Sequence, residues 1–311
     1  MSNTSAQSDI TFVDSEASLL LLLDSIANLP TEPPSLYMDM EGIKLGRHGS
    51  ISILSLYIAP TEKTYLVDVH TVKETAFSTT NSNGTSLKTV LESPDIPKVV
   101  FDIRNDSDAL FSHFQIYADG IKDLQVMELA TRKYSQWLVA SLTKCIKNDS
   151  PISPIMKIQW IQTKDRGRSL FAPEEGGSFE VFNERPLKPE LMEYCQKDTS
   201  LLPGLYSVYN AKLQAPNQAF WRVHVRGATK DRILLSRSPR YDGHSAGMSL
   251  GWLDWMISDA EVAWASGGDI DEDDRRYTAL GDDGLEDDYD DGSARDCAGW
   301  EDDMVKNGED F

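Results

Sequence analysis

The chain has 311 residues, a formal net charge of −20 and 40% hydrophobic residues. That is long enough for one large domain with extensions, or two small ones, and apolar enough for a core. So negative a chain argues at first sight against a nucleic-acid partner. The charge is uneven, however: residues 259–311 hold 20 Asp/Glu and 4 Lys/Arg, a local −16 that leaves −4 for all that precedes them. The three cysteines, Cys145, Cys195 and Cys297, show no CxxC or Cys/His spacing. They argue against a disulfide framework or a zinc site and for a reducing, intracellular location, cytoplasmic or nuclear. The run Leu19–Leu23 lies between Glu16 and Asp24 with no basic flank, so neither a signal peptide nor a membrane contact is expected.

In chain order, Asp14-Ser15-Glu16 before an apolar run to Ile26 reads as a capped helix start. Pro30, Pro33 and Pro34 break the chain. Leu36–Gly42 interleaves apolar residues with two acids, Ile51–Ile58 is β-rich, and Thr64–Val69 gives a third strand; three strands so close predict an antiparallel meander. A loop over 78–86 precedes a short helix over Ser86–Leu91. Pro97–Phe101 is a short strand that leads into a helix opening at Asn105-Asp106. Gly120–Leu124 is a turn or short strand, with Asp123 capping a helix through Ala130, and a further helix covers Trp137–Lys147. Residues 148–189, rich in Pro, Gly and charge, read as a long, partly irregular insert. Pro189 to Tyr209 reads as one helix despite Pro203. The order predicts an α/β domain with a mixed sheet flanked by helices.

Three groups of residues carry possible chemistry. Asp39-x-Glu41 lies on a predicted strand, where period-two alternation puts both carboxylates on one face. Two such neighbours repel and favour a hard divalent cation between them, although an edge strand's polar face gives the same pattern. Tyr194 and Asp198, spaced i and i+4, share one helical face, as would an ordinary surface acid beside a core-edge tyrosine. Asp106 stands at a strand-to-helix junction with Leu110 and Phe114 following on one face; a helix N-cap is the plainer alternative, and Asp102 and Asp108 are rivals.

Taken in order, D-x-E, then Asp with apolar residues at i+4 and i+8, then Y-x-x-x-D resemble the DEDDy subclass of DnaQ-like, ribonuclease H-like 3′→5′ exonucleases, such as ribonuclease D, the Werner-type exonuclease domain and Egalitarian-like proteins. Lys98–Phe101 before the second motif, Asp123-Leu124-Gln125 after it, and Arg185-Pro186-Leu187 before the third add to the resemblance, which covers roughly residues 10–210. It implies a ribonuclease H-like fold and catalysis at Asp39, Glu41, Asp106, Tyr194 and Asp198. Two divalent ions, Mg²⁺ or Mn²⁺, would be held by Asp39, Glu41, Asp106 and Asp198. Asp39 would bridge both ions and Tyr194 would position the attacking water. The register of Leu110 and Phe114 selects Asp106 over its rivals. Arg185 could contact a substrate phosphate or pair with a nearby acid. Phe101 stands where ribonuclease D-like chains often carry His.

The expected domains are an exonuclease domain over 1–212, a basic extension over 213–258 and a disordered acidic tail over 259–311. The basic set Arg222, Arg226, Lys230, Arg232, Arg237 and Arg240 could bind a nucleic-acid backbone, but reads better as a solvated strand and loop packed on the domain. The tail could dock a protein partner, or compete with nucleic acid for the basic segment; Trp252, Trp255 and Trp264 could form a docking motif or a final helix. The expected partner is the 3′ end of single-stranded RNA or DNA. The function read is 3′→5′ hydrolysis releasing nucleoside 5′-monophosphates, with a catalytically silent RNA- or protein-binding adaptor as the alternative.

Overall fold

The computed structural model describes residues 10–266. Among them a six-stranded sheet carries the strand order β1-β4-β3-β2-β5-β6. The strands are β1 (Ile10–Val13), β2 (Leu36–Glu41), β3 (Ile53–Ile58), β4 (Lys63–Val67), β5 (Lys98–Val100) and β6 (Ile121–Asp123). The predicted meander is present: β2, β3 and β4 pair antiparallel, while β1 lies parallel to β4, and β5 and β6 run parallel beside β2. The edge strand β1 has no counterpart in the sequence reading; its four residues are too short for alternation to register.

Helices cover both faces. α1 (Glu16–Ser25), the short α2 (Val69–Val72) and α3 (Thr75–Ser78), α4 (Leu87–Glu92) and α5 (Arg104–Phe114) come first. α6 (Leu124–Thr131), α7 (Leu142–Asn148), α8 (Pro154–Phe171), α9 (Pro189–Ser200), α10 (Leu202–Leu213), α11 (Ala219–Ser236) and α12 (Asp254–Ala265) follow. Ser15 caps α1 as expected, accepting from Ser18 N in a reciprocal capping box. Asp123 caps α6, accepting from Gln125 N.

The alternation along β2 sorts its residues between layers. Leu36, Met38 and Met40 pack with Leu19, Leu22, Leu23, Leu87 and Leu110 in one core cluster, whereas Tyr37 packs with residues of α6, α7 and α10 on the opposite face. Each wholly buried leucine contributes roughly 1.5–3 kcal/mol, an upper bound because unfolded chains already bury some surface. Phe171, Leu191 and Tyr194 of α8 and α9 join Ile53 and Leu66 in a third cluster. The face of β2 that carries Tyr37 therefore also carries Asp39 and Glu41, and it is the face crossed by α9.

Four expectations are corrected. Residues 148–189 are not mainly irregular: α8 runs for 18 residues from a Ser153 cap. The helix expected over Pro189–Tyr209 is two, because Pro203 has no N–H to donate and crowds the preceding turn; it sits in the first turn of α10, after Leu201. Trp137–Ala140 is extended and bonded to 249–252, as in Gly251 N to Trp137 O at 2.6 Å, and the helix starts only after Ser141, whose hydroxyl accepts from Lys144 N. The basic segment is helical rather than strand and loop. Its buried residues Val225, Thr229, Ile233 and Ser236 recur at i, i+4, i+8 and i+11, and Ile233 reaches the first core cluster.

Three of the six basic side chains of that segment serve packing, while Arg226, Lys230 and Arg240 are exposed. Arg232 pairs with Asp123 at 2.9 Å, Arg222 donates to Leu213 O at 2.8 Å, and Arg237 donates to Ala118 O at 3.0 Å. Trp255 and Trp264 lie on α12, and Trp252 stacks on Trp221 with ring centroids 5.8 Å apart. The stretch expected to be a disordered tail begins inside α12; its remainder from residue 267, with Cys297, lies outside the described residues. Among the described residues, no helix is long and apolar enough to cross a membrane.

Candidate active site

β2 delivers the first two acids at its C-terminal end. Glu41 is buried and Asp39 half-buried. The chain turns immediately after Glu41 because Gly42 has no side chain: a Cβ there would lie 1.9 Å from Ser50 O. β2 and β3 close tightly at this point, with Ser52 N donating to Glu41 O at 2.7 Å. α9 supplies Tyr194 and Asp198, both buried, on the face turned to the sheet.

Carboxylate oxygens of Asp39, Glu41 and Asp198 lie within 4.8 Å of one another. This answers the alternatives left open by the sequence. Asp39 and Glu41 do not face solvent from an edge strand, since β2 is interior to the sheet, and Asp198 is not a surface acid. Three carboxylates at this separation, two of them buried and one half-buried, repel one another, and hard oxygen donors so gathered suit Mg²⁺ or Mn²⁺.

Asp106 is not among the three gathered acids. It is buried on the first turn of α5, the helix that follows β5, the parallel neighbour of β2, so it belongs to the same end of the sheet. It is not a helix cap, because Ile103 occupies the N-cap position. Leu110 and Phe114 face the first core cluster, as the register required. The rivals are engaged elsewhere. Asp108 accepts from Arg47 Nε at 2.9 Å and Arg47 N at 2.7 Å, and Asp102 accepts from Arg104 Nε at 2.7 Å. Burial alone would raise the Asp102 carboxyl, but Arg104 and Arg232 outweigh it and hold its pKa down at about 2.

Arg185 shows the acid-pairing alternative. Its Nε donates to Asp68 at 2.6 Å and its Nη2 to the other Asp68 oxygen, while Nη1 donates to Phe182 O at 2.8 Å. Burial would raise the Asp68 carboxyl, yet hydrogen bonds from Arg185 and Thr71 carry it below the ordinary carboxylate value.

The sequence reading missed Lys164. Its Nζ lies 3.0 Å from the Tyr194 hydroxyl and 3.0 Å from each carboxylate oxygen of Asp198. It comes from α8, inside the segment read as an insert. Trp160, Lys164, Gly167 and Phe171 are buried at i, i+4, i+7 and i+11, a helical stripe that was legible but obscured by the surrounding charge. Gly167 lets α8 approach: a Cβ there would stand 2.5 Å from Tyr194 Cδ2.

Comparison with known proteins identifies the family and the fold. A family model described as 3′–5′ exonuclease matches residues 10–214. Ribonuclease D of Trypanosoma brucei in complex with GMP is 18% identical, with a TM-score of 0.60 over 78% of this chain and 69% of that one. The same enzyme in complex with RNA U12 gives 18% identity and a TM-score of 0.56 over 81% of this chain and 78% of that one. At that identity the likeness is one of fold. The mouse piRNA biogenesis protein EXD1 is 29% identical over 167 residues, 52% of this chain but only 26% of that protein, so the match spans about a quarter of the relative's length. The family match covers well over half of the sequence and includes every element that carries the gathered acids, and on that ground the chain belongs to the DnaQ-like 3′–5′ exonuclease family.

Proposed function

We propose that this chain is a divalent-metal-dependent 3′→5′ exonuclease acting on single-stranded nucleic acid and releasing nucleoside 5′-monophosphates. The observation that carries the reading is the convergence of Asp39, Glu41 and Asp198 within 4.8 Å. These three would hold divalent ions, with Asp106 joining from α5. When bound, a pair of Mg²⁺ or Mn²⁺ ions supplies the activation of water and the stabilisation of charge on the leaving oxygen. Water adds at phosphorus, the P–O3′ bond breaks, the phosphate stays on the released nucleotide, and the proton goes to the 3′-oxygen of the shortened strand.

The chain's own residues set the geometry. β2 and α9 fix the three carboxylates on rigid elements, which favours a preorganised site. The Tyr194 hydroxyl, the group proposed to position the water, is oriented by Lys164 at 3.0 Å. Arg185, locked to Asp68, fixes the loop ahead of α9; a phosphate contact by it would be additional to that pair.

A second reading, a silent adaptor that holds RNA or protein, draws on one observation: an ammonium already engages Asp198 and Tyr194. One experiment separates the two. The full chain is incubated with 5′-labelled single-stranded RNA and DNA in Mg²⁺ or Mn²⁺. The exonuclease reading expects a ladder of products shortened from the 3′ end, abolished by chelation and by Asp39→Ala or Asp198→Ala. Retained binding without shortening would favour the adaptor.

A further inference from the structure

We infer that Lys164 is a resident cation of the carboxylate centre, one that competes with the divalent ion for Asp198 while holding that carboxylate beside the Tyr194 hydroxyl. The inference rests on the metal-centre reading above. Lys164 is then a positioning residue that sets how tightly the centre takes metal.

Its contacts define the geometry. The ammonium sits 3.0 Å from both oxygens of Asp198, so it covers the edge by which a carboxylate grips a cation. It also lies 3.0 Å from the Tyr194 hydroxyl and 4.4 Å from that ring's centroid. Both partners are out of solvent, with side-chain exposures of 7% for Lys164 and 0% for Asp198. Lysine is rarely buried without a charge partner, and here the partner belongs to the gathered acids.

The ammonium is brought to this place by the whole of α8. Trp160 Nε1 donates to Lys197 O at 3.1 Å, at one end of the α8–α9 contact. Arg166 pairs with Glu193 at 3.2 Å at the other. Next to Arg166, Gly167 lets the helix axis close on the Tyr194 ring. The position of Lys164 therefore follows from helix packing and not from a chance rotamer of a long side chain.

Charge gives the consequence. Asp39, Glu41 and Asp198 gather three carboxylates, of which Lys164 already meets one, leaving the other two to be met from outside. A divalent ion approaching Asp198 meets a like charge in its coordination space, and like charges at short range in a site screened from water repel strongly. Removing the ammonium, with the shape kept, should strengthen metal binding; replacing it by another fixed cation should not.

The test is Mn²⁺ binding to the full chain without nucleic acid, read from the signal of free Mn²⁺ by electron paramagnetic resonance and from calorimetry. Wild type is compared with Lys164→Gln and Lys164→Arg. The expected result, from the removal of one like charge, is Mn²⁺ binding about tenfold tighter in the Gln variant and no tighter in the Arg variant. A Gln variant that binds Mn²⁺ no better than wild type overturns the inference while leaving the metal centre standing. Absence of Mn²⁺ binding in all three overturns both. Should the Gln variant fail to fold, the ¹³Cε resonance of Lys164 in the wild type, assigned by its loss in the Arg variant, reads the same contact. It should shift as Mg²⁺ is added, and constancy at saturating Mg²⁺ would refute the competition.

Discussion

Two groups of buried and half-buried acids stand at the same end of this sheet, and they are treated differently. In the first, Asp68, Asp102, Asp108 and Asp123 are each met by an arginine: Arg185, Arg104, Arg47 and Arg232. These pairs cross the fold, tying the loop before α9 to the end of β4, and α11 to the turns after β5 and β6. In the second, Asp39, Glu41 and Asp198 gather on one another within 4.8 Å. An arginine fork meets a carboxylate edge to edge and fills it, so an acid so matched has little left for a metal. Acids that converge on each other instead define a place where a cation is favoured. On the proposed reading, the contrast separates structural from chemical carboxylates among residues that look alike in sequence.

The comparison can be broken most visibly at its chemical side. Asp39→Asn should lower the exonuclease rate by on the order of 10³-fold or more, with the melting temperature unchanged or raised, because the substitution removes a repelling charge. A large loss of stability would place Asp39 with the structural acids. Next comes the structural side. Arg232→Met leaves Asp123, whose side chain is fully buried, without its arginine, and should cost about 3–5 kcal/mol in denaturant unfolding. An unchanged midpoint would show that the pair is dispensable.

A smaller effect is expected where the two helices of the site meet. Gly167→Ala inserts a methyl against the Tyr194 ring and should cost about 1–3 kcal/mol as α8 is forced outward. It should also lower activity by moving Lys164 and Tyr194 apart; full activity with reduced stability would uncouple α8 from the site. The smallest effect concerns pH. The folded pKa of Asp102 is held at about 2, below its unfolded value near 3.9. The stabilisation it gives is therefore present above pH ~4 and is lost as pH falls towards 2. Asp102→Asn should flatten the acid limb of the stability curve in that window, seen by denaturant titration at several pH values. An unaltered slope would mean that the arginines do not hold this carboxyl down.

Much of the fold could be read from local pattern. The β2–β3–β4 meander followed from alternation, and the caps at Ser15 and Asp123 followed from side-chain chemistry. The pairing of Asp39 with Glu41 followed from strand period, and Tyr194 with Asp198 from helix period. That these two pairs meet each other is a tertiary fact, set by α9 crossing β2, which no local period reports. Lys164 was hidden for a related reason. Its helix carries Lys157, Lys164, Asp165, Arg166 and Arg168 among its apolar residues, so composition suggested a long, partly irregular insert while the stripe of Trp160, Lys164, Gly167 and Phe171 was already helical. In the 222–240 segment the charge count likewise outweighed the buried period that makes α11 a helix.

The central claim is that convergent acids, and not arginine-matched ones, make the metal centre. Anomalous diffraction from crystals soaked in Mn²⁺ tests it most directly. The account predicts anomalous density among Asp39, Glu41 and Asp198, and none at Asp102, Asp108 or Asp123. Density absent from the first group at saturating Mn²⁺, or present at the second, would contradict it.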